Sequence, residues 1–288
     1  MKQINIRTFK EKWHSYRRSP FSLFLLIAVT LAAAITLLVL AFLIVYILVK
    51  GIPHLSLSLF AWEYNSDNVS MLPAIINTLA MTGLSLLIAA PLGIFAAIYL
   101  AEYARRGNRL VGVIRLTAET LAGIPSIVYG LFGMIFFVFT LHWGYSLLAG
   151  AFTLAIMILP LVMRTTEEAL LSVPDSYREG SFGLGAGRLR TVFAIVLPTA
   201  IPGILAGVIL AIGRVVGETA ALIYTAGTVA AVPDSVFDSA ITLSVHMYTL
   251  SSEGFHMDEA YATAVVLLVI VIGINAFSGW IAKRLKRI

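Results

Sequence analysis

Long uncharged apolar runs divide this chain. Positions 21–49 hold 29 residues without a charge, and 71–101 and 260–282 are equally uninterrupted. Each reaches the roughly 20 mostly apolar residues that a helix needs to cross a bilayer. The stretch 120–163 is also uncharged but too long for one crossing. Its centre, "LHWGYS" at 141–146, is an aromatic, Gly-containing turn suited to headgroup depth, which splits it into two spans. A sixth run, about 199–224, is the only one holding full charges, Arg214 and Glu218. The pattern predicts an all-α, polytopic membrane protein with six transmembrane helices.

Basic residues orient these spans. Six precede the first (Lys2, Arg7, Lys10, Lys12, Arg17, Arg18) and four separate the second from the third (Arg105, Arg106, Arg109, Arg115). Four lie between the fourth and fifth (Arg164, Arg178, Arg188, Arg190) and four close the chain (Lys283, Arg284, Lys286, Arg287). These are 18 of the 20 Lys and Arg residues, and segments 51–70, 141–146 and 227–259 contain none. Both termini are expected in the cytoplasm. Residues 1–20 then form a basic cytoplasmic segment and 21–50 a retained anchor, because the run exceeds the about 7–15 apolar residues of a signal peptide.

Composition agrees with a bilayer solvent: 59% of residues are hydrophobic and 12% charged, against roughly 25% charged in soluble domains. The net charge of +5 reflects the cytoplasmic loops and does not point to nucleic acid. Cys is absent, which excludes disulfides and thiolate metal sites, and the five His residues are scattered without metal-ligand spacing. No cofactor is expected. No Gly-x4-Gly-Lys-Ser/Thr is present and none of the six lysines follows a glycine, so ATP is not cradled by that route. With no acid–base or metal cluster either, the chain is not expected to be an enzyme.

Two places carry candidate function. The first is the polar insert between spans 4 and 5, whose second half reads "EGSFGLGAGRLRTVFAIVLP" at 179–198. Ser172-x-x-Asp175 with Pro174 predicts a helix start. Val173, Tyr177, Ser181 and Leu184 give that helix a less polar face, and Gly183, Gly185 and Gly187 end it. A second short helix runs from Arg188 through Pro198 into span 5. The result is a compact helix–turn–helix at 172–190, suited to docking another protein. The second place is span 5 itself. Gly203, Gly207, Ala211, Arg214, Glu218 and Ala221 fall within about 80° of one helix face. Close packing against a neighbour is the main expectation for the glycines. An Arg at this depth costs roughly 2.5–3.5 kcal/mol and must face protein or water. Either Arg214 and Glu218 form an i,i+4 ion pair, or Arg214 meets a passing anion while Glu218 holds it. Arg164 and Glu167, one turn apart at the end of span 4, are candidates for an exit-side counterpart or for a plain surface pair. Glu119 precedes a Gly123-Ile-Pro-Ser126 break that could bare backbone to a pathway. Between spans 5 and 6, Asp234, Asp238, Glu253, Asp258 and Glu259 make an acidic outer loop, and "SAITLSVHMYTL" within it predicts a short helix.

These residues resemble the integral permeases of binding-protein-dependent ABC importers. That family carries Glu-Ala-Ala, three residues, Gly, nine residues, then Ile-x-Leu-Pro. Glu179, Gly185, Ile195, Leu197 and Pro198 stand at those spacings, while Gly180 and Ser181 replace the alanines. The likeness covers about 75–280, within a permease domain expected over 71–282. "LAGIPSIVYGLFG" (121–133), "RTTEEALLSVPDSYREG" (164–180) and "GETAALIYTAG" (217–227) are similar to the phosphate-specific branch, and the C-terminal stretches to its PstA type more than its PstC type. The resemblance implies a MetI-like fold in a bacterial inner membrane and a heterodimer with a PstC-type permease. It also implies two copies of a PstB-type ATPase, a PstS-type phosphate-binding protein, and the insert as the coupling helix in a groove of the ATPase. A PstC-type subunit, or a permease for another oxyanion, is the neighbouring alternative. An ion-coupled secondary transporter is more distant, because only one span holds deep charges.

Overall fold

The computed structural model describes residues 20–105 and 107–285, with backbone alone at 281–283 and 285. The basic residues of segment 1–19, Arg106, the Lys283 side chain, Lys286 and Arg287 lie outside the described residues. The chain divides into two units, Met1–Lys50 and Gly51–Ile288. In the first, α1 (Pro20–Gly51) is a helix of 32 residues, long enough to cross a bilayer with some tilt.

The regular structure of the second unit is all helical among its described residues, joined by turns and loops. It contains α2 (Leu72–Ile98), α3 (Arg109–Ala122), α4 (Ser126–Gly133), α5 (Leu147–Leu171), α6 (Asp175–Gly183) and α7 (Arg188–Thr191). The chain continues through α8 (Leu197–Val216), α9 (Ala220–Ile223), α10 (Leu243–Glu253) and α11 (Met257–Leu285). Three π-helical segments extend α2 (Tyr99–Tyr103), extend α4 (Met134–Thr140) and join α7 to α8 (Val192–Val196). Five helices are long and apolar enough to span a membrane, and the bent pair α3/α4 makes up to six.

Helix α5 is the centre of this unit: 67% of its apolar window is buried, against 33% for α2, 28% for α8 and 22% for α11. Met81 of α2, Leu154, Met157, Ile158 and Val162 of α5, and Ala211 and Val215 of α8 share one core. The α5–α8 contact is close because Gly203 and Gly207 lack side chains. A Cβ at Gly207 would overlap Thr165, and one at Gly203 would lie 2.6 Å from the Ala169 Cβ. The glycine stripe therefore packs within the chain. Gly213, by contrast, faces open space.

Three boundaries differ from those the sequence predicts. The stretch read as the third span is not one straight helix from near 120: α3 meets α4, which starts at Ser126, at 100°. Pro125 has no N–H and pushes Ile124 away from helical geometry, so the chain turns at 123–125. Between spans 2 and 3 the basic residues predict only a connection, whereas 109–122 form α3, whose start is capped by the Asn108 side chain accepting from the Leu110 N–H at 3.0 Å. The fifth span ends at Val216, with Gly217 at its C-cap, instead of continuing to 224. The turn at 141–146 and the short helix in the loop after span 5 both form, the latter as α10.

Candidate functional site

Arg214 lies in the last turn of α8 and is partly exposed. Among the described residues it has no ion pair and no hydrogen bond, and the Tyr129 hydroxyl is within its electrostatic reach. Tyr129, on α4, donates to the Leu121 carbonyl at 2.8 Å and so bridges the bend before α4.

The Arg214–Glu218 ion pair, one of the two alternatives the spacing offers, is absent among the described residues. Because α8 stops at Val216, Glu218 leaves the helical stripe and is buried at 8% exposure. Its Oε1 accepts from the Ala221 N–H at 3.1 Å, capping α9. Its backbone carbonyl accepts from the Ser244 hydroxyl at 2.6 Å, which ties the start of α10 to the end of α8. Further along the same end, Asn77 donates to the carbonyls of Ala231 (2.9 Å) and Ile241 (3.1 Å), and Thr78 accepts from the Leu243 N–H (2.8 Å). The segment between α9 and α10 is thus pinned onto α2.

Arg164 and Glu167 part company as well. Arg164 pairs with Glu168 at 3.0 Å and Glu119 at 3.8 Å on an exposed face. Glu167 is buried and takes two hydrogen bonds from Arg115 of α3, at 2.8 and 2.5 Å. Residues three apart on a helix point about 60° away from each other, and here each finds a different neighbour.

The insert forms two helices, α6 and α7, around a tight turn. Ser172 does not cap α6: its hydroxyl donates back to the Ala169 carbonyl at 2.7 Å, and the chain enters α6 through Pro174. Gly185 has φ +81°, a left-handed conformation that a side chain would strain. Of the face read from sequence, Val173 and Ser181 are buried, and Ser181 bonds Thr191 of α7 at 2.9 Å. Tyr177 and Leu184 instead face outward, with Leu184 92% exposed, and Phe182, Leu189 and Phe193 are exposed as well. Tyr177, Leu184, Gly185, Arg190 and Ile195 line part of a cleft of about 570 Å³. Glu179 is exposed, Ile195 and Leu197 are partly buried, and Pro198 follows the π turn into α8. A proline ring clashes with the carbonyl four residues back, and the wider π turn at Val192–Val196 accommodates it.

Sequence reasoning also missed Tyr129, Arg115 and the pair Arg178–Glu102. Partners 52 and 76 residues apart leave no local spacing signal.

Residues 89–287 match the family model described as "Binding-protein-dependent transport system inner membrane component". The chain is 35% identical over 275 residues to the Bacillus subtilis (strain 168) protein named "Probable ABC transporter permease protein YqgI", covering 89% of this chain and 93% of that one. It is 34% identical to the "Phosphate transport system permease protein PstA" of Haemophilus influenzae, covering 81% and 83%. Its fold is similar to a chain of a bacterial alginate ABC transporter, with TM-score 0.68 at 18% identity over 94% of this chain and 97% of that one. It is also similar to the inward-facing MetNI methionine ABC transporter, with TM-score 0.60 at 21% identity over 75% and 95%.

Proposed function

The chain belongs to the inner-membrane components of binding-protein-dependent transport systems, a MetI-like permease subunit of an ABC importer, and from that premise we propose that its cargo is inorganic phosphate. In this reading it is a PstA-type subunit that forms the passage with a PstC-type permease. Two PstB-type ATPases drive it and a PstS-type protein delivers the anion. Both termini lie in the cytoplasm. The segment 172–190 is the coupling element, with Tyr177, Phe182 and Leu184 offered to the ATPase, Gly185 making the turn, and Glu179 at the exposed edge. Ile195, Leu197 and Pro198 join it to α8. The domain limits follow the same division, with 21–50 an added anchor and 71–282 the permease proper.

The observation that carries the anion assignment is the state of Arg214. A guanidinium remains charged at any physiological pH, and in a spanning helix it requires an anion, protein dipoles or water. Among the described residues no carboxylate neutralises it, since Glu218 is engaged at the start of α9. Its fork of N–H donors matches two phosphate oxygens. Glu218 serves the same end indirectly by joining the outer helix α10 to the end of α8, so that the pathway arginine and the outer closure share one anchor. Arg164, paired with Glu119 and Glu168, is the cytoplasmic-end counterpart in this reading, but its two carboxylates make it a surface anchor and not an anion site. Glu167 acts through Arg115, holding α3 against α5.

Arg214→Gln tests this. With the partner permease, ATPase and binding protein in proteoliposomes, ATP-driven phosphate uptake is expected to fall roughly 100-fold, the scale of two hydrogen bonds to a charged group. The complex should still assemble. Undiminished uptake would remove Arg214 from the passage. Sulfate or molybdate stimulating ATP hydrolysis better than phosphate would reassign the cargo.

A further inference from the structure

Arg178 has every guanidinium nitrogen occupied. Its Nε lies 3.2 and 3.3 Å from the two Glu102 oxygens and its Nη2 lies 2.6 Å from Glu102 Oε1. Nη2 also donates to the Leu170 carbonyl at 2.9 Å, and Nη1 to the Val173 carbonyl at 2.7 Å and the Asp175 carboxylate at 3.3 Å. Glu102 is 7% exposed and the Arg178 side chain 15%. One side chain on α6 thus grips the π-helical end of α2, which carries Glu102, and the last turn of α5, which carries Leu170.

The grip is one-sided. Tyr177, Phe182 and Leu184 of the same short element are exposed. A surface meant to hold a partner and an inner contact meant to hold the bundle are therefore carried by ten residues, the nine of α6 and Leu184 at its C-cap. Charge-assisted bonds of a largely buried carboxylate resist sliding: a shift of α6 against α2 would strip Glu102 of its bidentate partner. The wider turn at Tyr99–Tyr103 ends with the Ala104 N–H bonded to the Tyr99 carbonyl at 2.9 Å, so Glu102 itself is fixed in a closed turn.

We infer that Arg178 is a positioning residue that makes α6, the end of α2 and the end of α5 move as one body. A displacement of α6 is then delivered to both spanning helices and is not absorbed in the loop 172–174. This inference rests on the proposed docking of α6 to the ATPase.

The chain contains no cysteine, so E102C/R178C creates a unique thiol pair. It removes both charges at once and leaves neither buried alone. In proteoliposomes with Cys-free partners, the unbridged double variant is expected to keep basal ATP hydrolysis. Phosphate transported per ATP should fall about tenfold, within the range of coupling energies carried by single contacts. A short bifunctional methanethiosulfonate linker should restore the ratio, and dithiothreitol should abolish it again. E102Q, which keeps the shape, should show the same loss with no response to the reagent. An unchanged ratio in the double variant and in E102Q overturns the inference. So does a lost ratio that bridging fails to restore, or loss of assembly in both variants, which would leave the pair a folding contact only. Leu184→Asp separates the two levels. ATPase still bound to that variant counts against docking through α6, whereas docked ATPase with unaltered coupling in E102Q counts against Arg178 alone.

Discussion

Two arginines of this chain stand in opposite circumstances. Arg178, on the short helix α6, has all three guanidinium nitrogens engaged by two carboxylates and two carbonyls. Arg214, in the last turn of the spanning helix α8, has neither ion pair nor hydrogen bond among the described residues. The difference matches what each environment allows. A saturated guanidinium fixes the positions of its neighbours, and one without protein partners keeps its donors for something that arrives and leaves. The same residue type is thus saturated at one end of the bundle and without a protein partner within it, which is the basis for proposing rigidity for the first and exchange for the second.

Stability separates the two most sharply. Arg178→Ala leaves the Glu102 carboxylate buried and uncompensated, and should cost about 3 kcal/mol. Arg214→Ala breaks no bond to another described residue, and should stay within about 0.5 kcal/mol of the parent. Thermal unfolding of the purified permease in detergent measures both. Equal losses would show that Arg214 is a structural residue after all, and the contrast would fail.

Much of this contrast could not be read along the chain. The spans were legible because a bilayer forces long uncharged runs on any sequence that crosses it, and "LHWGYS" at 141–146 marked the one ambiguous turn. Gly185 was legible because a tight turn needs positive φ, and the turn forms as read. The ion pairs were not. Arg164 and Glu167 looked like partners by spacing, yet Arg115 lies across from Glu167 and Glu168 lies below Arg164. Arg214 and Glu218 looked like an i,i+4 pair only while α8 was taken to continue. Gly217 ends it, and four residues of separation no longer mean one helical turn. Helix α3 escaped notice because its arginines resembled a loop and its apolar residues make a stripe too short to cross a membrane.

His246 extends the comparison to a group that is buried and neutral. It lies on α10 at 2% exposure, edge-on to Tyr64 with ring centroids 6.1 Å apart, and its Nε2 has no partner among the described residues. Burial lowers its pKa from 6.5 to about 4, against the opposing hydrogen bond to the Val69 backbone. The folded state therefore resists the proton that the unfolded segment accepts. Its stabilisation is complete above pH 6.5 and is lost as pH falls from 6.5 to about 4. At about 1.4 kcal/mol per pH unit the full loss is roughly 3–4 kcal/mol, of which about 2 falls above pH 5. The midpoint of thermal unfolding should drop between pH 7 and pH 5 in the parent, and His246→Leu should flatten that drop. Comparing the parent with the variant isolates the buried group. A drop of the same size in both proteins would mean that α10 is not held by a neutral His246.

The smallest expected effect bears on α6 itself. Gly180 stands where the family motif has alanine, its backbone is helical, and a Cβ there would meet nothing within 4 Å. Gly180→Ala should stabilise the helix by about 0.5–1 kcal/mol, chiefly by restricting the unfolded chain. If α6 travels as a rigid body gripped from within by Arg178, stiffening it leaves uptake of the proposed cargo unchanged. If α6 must instead bend during each cycle, the same methyl group slows uptake while raising the unfolding temperature. Paired measurements on one variant then decide whether the saturated arginine holds a lever or merely the base of a spring.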